Sequence, residues 1–290
     1  MNRSVSAYSP GSSGNHQTSR HPDFASVTAI LRETAAIEVM PRFRCLAAGD
    51  VREKGPGDLV TVADVASERR LTAALMALVP ESVVVGEEGV DADPSVLDLL
   101  AGPAPVWVVD PVDGTGNFAA GRECFAMIIA YVEGGETVAG WIYDPVHDVT
   151  IHGAVGEGAW RDGVRLAVAP AKPLAETIGS APSRVRKRVA ERGAAEGIEV
   201  PGHLLQYRCA GREYMDMAQG GLDFARYGRR LKPWDHAAGV LLHREAGGFS
   251  AVDEAGRPYS PRDGIVEGSL LVAADAAMWE ALAGLLIPSA

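Results

Sequence analysis

An apolar strand that runs straight into a turn carrying two aspartates is the strongest constraint in this chain. In Trp107-Val108-Val109-Asp110-Pro111-Val112-Asp113-Gly114-Thr115-Gly116-Asn117-Phe118, the run from Trp107 to Val109 reads as a buried strand. Asp110 ends that strand, and Pro111 and Gly114 shape the turn so that both carboxylates converge on one point. The N–H groups of Gly114 and Thr115 open beside that point, where an anion would sit. An ordinary Asp-Gly turn accounts for the same residues taken alone, because Asp, Gly and Pro are common turn formers.

Helices and strands alternate in blocks around this segment. Phe24, Val27, Ile30 and Leu31, then Phe43 and Leu46, recur at helical spacing, with Pro41 interrupting the helix. A second helix is expected from about Val62 to Leu78, with Leu71, Ala74, Leu75 and Leu78 as its apolar face and Pro80 closing it. Val83 to Val85 reads as another buried strand. Cys124 to Ala167 reads as an antiparallel meander turning at Glu133-Gly134-Gly135, Asp144-Pro145 and Asp162-Gly163. A helix near Glu213 to Ala218, a strand near Phe224, a helix from about Asp235 to Ala246, a strand at Leu270 to Ala273 and a helix from Ala274 to Leu286 complete the chain. The expected fold is a layered α+β or α/β domain over residues 21–290, with subdomains of about 21–173 and 174–290. Residues 1–20, rich in Ser and lacking an apolar stretch, read as a disordered tail.

Composition excludes several classes. With 290 residues of which 47% are hydrophobic, the chain can bury a substantial core, and no apolar run reaches the length of a membrane helix. A net charge of −11 leaves no broad basic field for a nucleic-acid backbone. Cys45, Cys124 and Cys209 are odd in number and far apart, which points to a reducing compartment and a cytoplasmic location.

Other acids stand at comparable places. Gly86-Glu87-Glu88-Gly89 puts two glutamates at the end of the Val83–Val85 strand, and strand alternation lets only one of them, chosen as Glu87, face the Asp110 site. Glu88 then reads as part of a solvated loop. Asp235, in Trp234-Asp235-His236-Ala237-Ala238-Gly239, reads alone as a helix N-cap, and Thr61 with Asp64 as a capping box.

Taken jointly and in this order, the Gly-Glu-Glu, the Asp-Pro-x-Asp-Gly-Thr and the Trp-Asp-x-Ala-Ala-Gly helix ending in Glu-Ala-Gly-Gly resemble the signature set of the inositol monophosphatase family. The resemblance spans residues 24–288, including the Asp-Leu-Val-Thr-x-x-Asp segment of residues 58–64. It implies a layered αβαβα sugar-phosphatase-like fold and hydrolysis of a small phosphorylated alcohol or sugar by metal-activated water. It further implies two or three magnesium ions held by Glu87, Asp110, Asp113, Asp235 and the carbonyl of Val112, which fits the preference of hard cations for oxygen. By the same resemblance Glu87, Asp64 and Thr115 take the catalytic roles, with Thr115 backed by Asp64 orienting the attacking water. The resemblance also implies that Asp113, Gly114, Thr115, Gly211, Arg212, Glu213 and Asp235 bind the substrate and that the protein is a homodimer. Lys54 matches a family lysine that tempers the acids, a solvated lysine being the alternative.

The leaving-group pocket departs from the family. Inositol-selective members carry Gly-Ser/Thr-Ala where this chain has Gly211-Arg212-Glu213, and a glutamate seven residues before the Trp-Asp aspartate, where this chain has Gly228. Arg212, Glu213 and Arg229 are candidates for a different pocket, suited to histidinol phosphate, fructose bisphosphate or a nucleoside bisphosphate, with plain surface charges as the equal alternative. A reading of another class is a non-catalytic regulator binding RNA or protein through Arg184, Arg186, Lys187 and Arg188, for which a solvated helix face is the plainer explanation.

Overall fold

A computed structural model describes residues 21–287. The expected tail of residues 1–20 lies outside the described residues. Asp23 caps helix α1 (Phe24–Thr34), its side chain accepting the N–H of Ser26. A π-turn at Ala35–Val39 carries the helix on, and it ends before Pro41, as a proline without an N–H requires. The hairpin β1 (Val51–Gly55) and β2 (Asp58–Thr61) leads into α2 (Val62–Leu78). Leu71 and Leu75 of α2 are buried, whereas Leu78, expected on the same face, is exposed. Next come β3 (Val83–Gly86), α3 (Glu87–Ala92), β4 (Val106–Asp113) and α4 (Thr115–Ala119).

The meander is β5 (Ala126–Glu133), β6 (Glu136–Asp144), β7 (Val149–Ala154), β8 (Gly158–Arg161) and β9 (Val164–Arg165). These strands join β3 and β4 in a seven-stranded sheet in chain order, with β3 parallel to β4 and every later pairing antiparallel. The remaining elements are β10 (Ile178–Ser180), α5 (Ser183–Glu196), β11 (His203–Leu205), α6 (Ala210–Ala218), β12 (Phe224–Leu231), α7 (Pro233–Glu245), β13 (Phe249–Val252), β14 (Val266–Ala273) and α8 (Ala276–Leu286). Their strands form a second sheet in the order β11-β10-β12-β14-β13.

Alternation along the strands assigns the layers. Trp107 and Val109 of β4, with Met127 and Ile129 of β5, pack against Val27, Leu31, Leu71 and Leu75 of α1 and α2. Val106, Val108 and Ile128 point the other way, into a core shared with Tyr214 and Met215 of α6, Ala238 and Leu242 of α7, and Ala225 and Val272 of the second sheet. Phe224 and Leu271, on the far face of that sheet, meet Val185 of α5 and Leu282 of α8. The order is therefore helix, sheet, helix, sheet, helix. All eight residues of β4 are buried, as expected of a strand covered on both faces. Among the described residues no helix is long and apolar enough to cross a membrane.

Close approach in the central helical layer depends on glycine. A Cβ on Gly239 would lie 2.1 Å from Cδ2 of Tyr214, a ring that is itself fully buried. Gly239→Ala is expected to destabilise the protein by about 1–3 kcal/mol through overpacking, read as a lower urea midpoint with unchanged slope. An unchanged midpoint would mean that α6 and α7 move apart freely.

Candidate active site

Four chain segments converge at the end of β4. Asp110 is 2% exposed and its Oδ1 accepts the N–H of Val112 at 3.1 Å, which folds the Asp-Pro-Val-Asp turn back on itself. Gly114 then adopts φ 87°, a left-handed conformation open to glycine at little cost, and becomes the N-cap of α4. Asn117 staples the turn from below, its Nδ2 donating to the carbonyls of Cys124 at 2.8 Å and Tyr207 at 2.9 Å. Asp113 reaches across to α6, where its Oδ2 accepts the N–H of Gly211 at 2.6 Å and the thiol of Cys209 at 3.1 Å. Gly211 thus positions Asp113, and a Cβ there would lie 2.9 Å from that of Ala126.

The capping box at α2 forms as its sequence suggests, with Asp64 at N3 and its Oδ2 accepting the N–H of Thr61 at 2.9 Å. Its other oxygen is free for a second partner and accepts Thr115 Oγ1 at 3.1 Å, 51 residues away. Thr115 Oγ1 also lies 3.0 Å from the carbonyl of Val112. One hydroxyl proton serves two acceptors here, so it goes to Asp64 whenever the Val112 oxygen is engaged elsewhere.

Glu87 and Glu88 correct the strand reading. They open helix α3, and the alternation that would separate them ends at Gly86. Both reach Lys54, whose Nζ lies 3.3 Å from Glu87 Oε1 and 3.0 Å from Glu88 Oε1. Glu88 is therefore a half-buried partner of the site, and Lys54, with a side chain 9% exposed, is not a solvated lysine. Asp235 is corrected too: Pro233 takes the first position of α7 and Lys232 is the N-cap, so Asp235 sits in the first turn and faces the acids. Arg212 pairs with Asp144 and lines neither the acid-bearing cleft nor the one beside it. Glu213 is buried and accepts the Ser180 hydroxyl. Within the basic run, Arg186 donates to the carbonyl of Leu204 and Arg188 to that of Leu286, which ties α5 to its neighbours and breaks up the expected solvated face.

Two residues escaped the sequence reading. Lys232 places Nζ 3.0 Å from Glu87 Oε1; its position three residues before Asp235 was the available signal. Glu68 accepts the N–H groups of Glu88 at 2.8 Å and Gly89 at 2.7 Å, capping α3 from α2. A Cβ on Gly86 would lie 2.3 Å from the Glu68 carboxyl carbon, which explains the glycine before the two glutamates.

The electrostatics are those of acids held together out of water. Burial, then Glu87, Asp113 and Asp235, pushes Asp110 well above the usual carboxylate range. Burial likewise raises Asp113 and Asp235, the latter against the pull of Lys232. Asp64 is raised to about 6 by burial, with the Thr61 and Thr115 hydrogen bonds working the other way. Burial disfavours the charge on Lys54, but Glu87 and Glu88 outweigh it and hold the ammonium. Glu87, Asp110, Val112, Asp113, Gly114, Thr115 and Asp235 all line one cleft of about 440 Å³. Among the described residues no group of three or more His, Cys, Asp or Glu side chains stands closely enough to grip a metal ion as oriented.

Comparisons with known proteins agree with this architecture. The inositol monophosphatase family matches residues 23–288. Inositol-1-monophosphatase of Bacillus subtilis is 33% identical over 216 residues, 72% of this chain and 77% of that protein. Nus factor SuhB of Escherichia coli is 32% identical over 228 residues, 76% of this chain and 81% of that one. The solved structure of an IMPase from Thermotoga maritima superposes with a TM-score of 0.75 at 25% identity, covering 89% of this chain and 94% of that one.

Proposed function

Because the chain belongs to the inositol monophosphatase family, whose members are phosphoric monoester hydrolases, we propose that it is a magnesium-dependent phosphatase of a small phosphorylated alcohol or sugar. The observation that carries this reading is the joint placement of Glu87, Asp110, Asp113, Asp235 and the Val112 carbonyl in one cleft. Glu87, Asp110 and Asp113 are each 9% exposed or less, so their mutual repulsion is poorly screened and calls for cations. The donor set is oxygen alone, which suits magnesium and disfavours softer metals. Magnesium bound there would neutralise the acids and supply Lewis-acid stabilisation to the phosphoryl oxygens and the attacking water.

The residues of the chain do the rest. Thr115 Oγ1, hydrogen-bonded to Asp64, has lone pairs left to accept a proton from a water in the cleft while its own proton passes toward Asp64. The N–H groups at the start of α4 have no carbonyl within the helix to bond and are oriented to hold phosphate oxygens. Lys54 and Lys232 pair with Glu87 and hold its side chain in place. Gly211 keeps Asp113 in place.

Phosphate release from an aryl phosphate should require magnesium and stop on chelation. Absence of release under every divalent ion tried would favour a second reading, a regulator on the same fold, which has in its favour the relation to Nus factor SuhB. The use of Arg186 and Arg188 in packing weakens the contact proposed for such a regulator.

A further inference from the structure

Beyond the acids a second cleft, of about 310 Å³, opens along the edge of β12 past the point where β10 ends. It shares Asp113, Arg208 and Asp235 with the first cleft, so an ester held there would lay its leaving alcohol here. Arg226 stands on this edge. Its Nη2 donates to Ser269 Oγ at 2.6 Å, and the guanidinium lies over Gly228, where a Cβ would come 2.2 Å from Nη1 and 2.6 Å from Cζ. The glycine leaves the room that the guanidinium fills.

The charge of Arg226 is unanswered. No carboxylate pairs with it among the described residues, and its buried Nε has no hydrogen-bond partner. Burial, then Arg188 on α5, disfavours its cationic form. Arg208 adds positive charge to the lining, as does Arg230, whose Nε lies 3.9 Å from Glu267 Oε1. Three acids line this cleft: Glu213, 6% exposed and engaged by the Ser180 hydroxyl, and the shared Asp113 and Asp235, which the proposed cations of the first cleft would answer. A neutral polyol would leave the guanidinium unpaired, whereas an anion would answer it with charge-assisted hydrogen bonds.

We propose that the second cleft selects leaving groups that carry an anion of their own, a second phosphate or a carboxylate, and that Arg226 over Gly228 is the selecting residue. The inference rests on the phosphatase reading above. Two substrate pairs test it in the full-length protein with magnesium: fructose 1,6-bisphosphate against fructose 1-phosphate, and 3-phosphoglycerate against glycerol 3-phosphate. In at least one pair kcat/KM should favour the doubly anionic ester by about tenfold or more, and the pair that responds tells phosphate from carboxylate. Arg226→Gln should bring that ratio to within about twofold, and Arg226→Lys, which keeps the charge without the fork, should keep part of it. Gly228→Glu, whose side chain would displace the guanidinium from the room it fills and answer its charge, should also abolish the preference, and it decides the matter if Arg226→Gln fails to fold. Hydrolysis of an aryl phosphate with no preference in either pair, or with histidinol phosphate, whose leaving alcohol is a cation, preferred, overturns the inference and leaves the phosphatase reading intact. No hydrolysis of any ester overturns both.

Discussion

Asp110→Asn should lower turnover at saturating magnesium by at least about a thousandfold while leaving the fold in place, because it removes one charge from the centre of the acid cluster at nearly constant shape. The same substitution should raise the melting temperature in the presence of a chelator. Asp110 in the folded protein holds its proton far above the unfolded value of 3.8, chiefly through burial and then through Glu87. The folded state therefore binds that proton more tightly, and ionising Asp110 costs stability progressively as pH rises from 3.8 through the raised native pKa. Asparagine has no such cost. The stability gap between variant and unmodified protein should accordingly be widest above neutrality and narrow as the pH is lowered, as melting curves from pH 8 down to pH 5 would read. Turnover within a few-fold of the unmodified protein would sink the metal assignment, and a lower melting temperature in chelator would sink the electrostatic account.

Thr115→Ala should cost about 10²–10⁴ in kcat and change the magnesium concentration for half-activity far less. The hydroxyl lies between Asp64 and the Val112 carbonyl, so in the proposed mechanism it would pass a proton and contribute no carboxylate charge to an ion. Thr115→Ser keeps that hydroxyl and should restore most of the rate. In the unmodified protein kcat should fall as pH drops through about 6, since a protonated Asp64 can no longer take up the Thr115 proton, and the residual activity of Thr115→Ala should lose that acid limb. A preserved maximal rate with a much higher magnesium requirement would make Thr115 a ligand instead.

Those features of the site that depend on neighbours along the chain are legible in the amino-acid sequence. The strand from Trp107 into the turn at Asp110 and Asp113, the Thr61–Asp64 box at the start of α2, and the meander turns at Gly134-Gly135 and Asp162-Gly163 all follow from local rules of period, capping and turn geometry. An N-cap at Asp235 misses by three residues, because Pro233, able to occupy the first helical position without an N–H to satisfy, starts α7 earlier and leaves the cap to Lys232. Leu78 departs as well: its spacing suits a buried stripe, yet its side chain stays exposed at the end of α2.

Sequence thus dictates the order of the elements and the identity of the carboxylates gathered at the end of β4. How those carboxylates are held is set by packing between distant segments. Lys232 meets Glu87 across 145 residues of chain, Glu68 caps α3 from another helix, Gly211 grips Asp113 from 98 residues away, and Arg226 lies over Gly228 rather than in solvent. A period or a cap is fixed by bonds that one segment makes with itself. The charge state and orientation of a buried acid are fixed by desolvation and by whichever donors the packed layers bring within about 3 Å, and no local pattern encodes that distance.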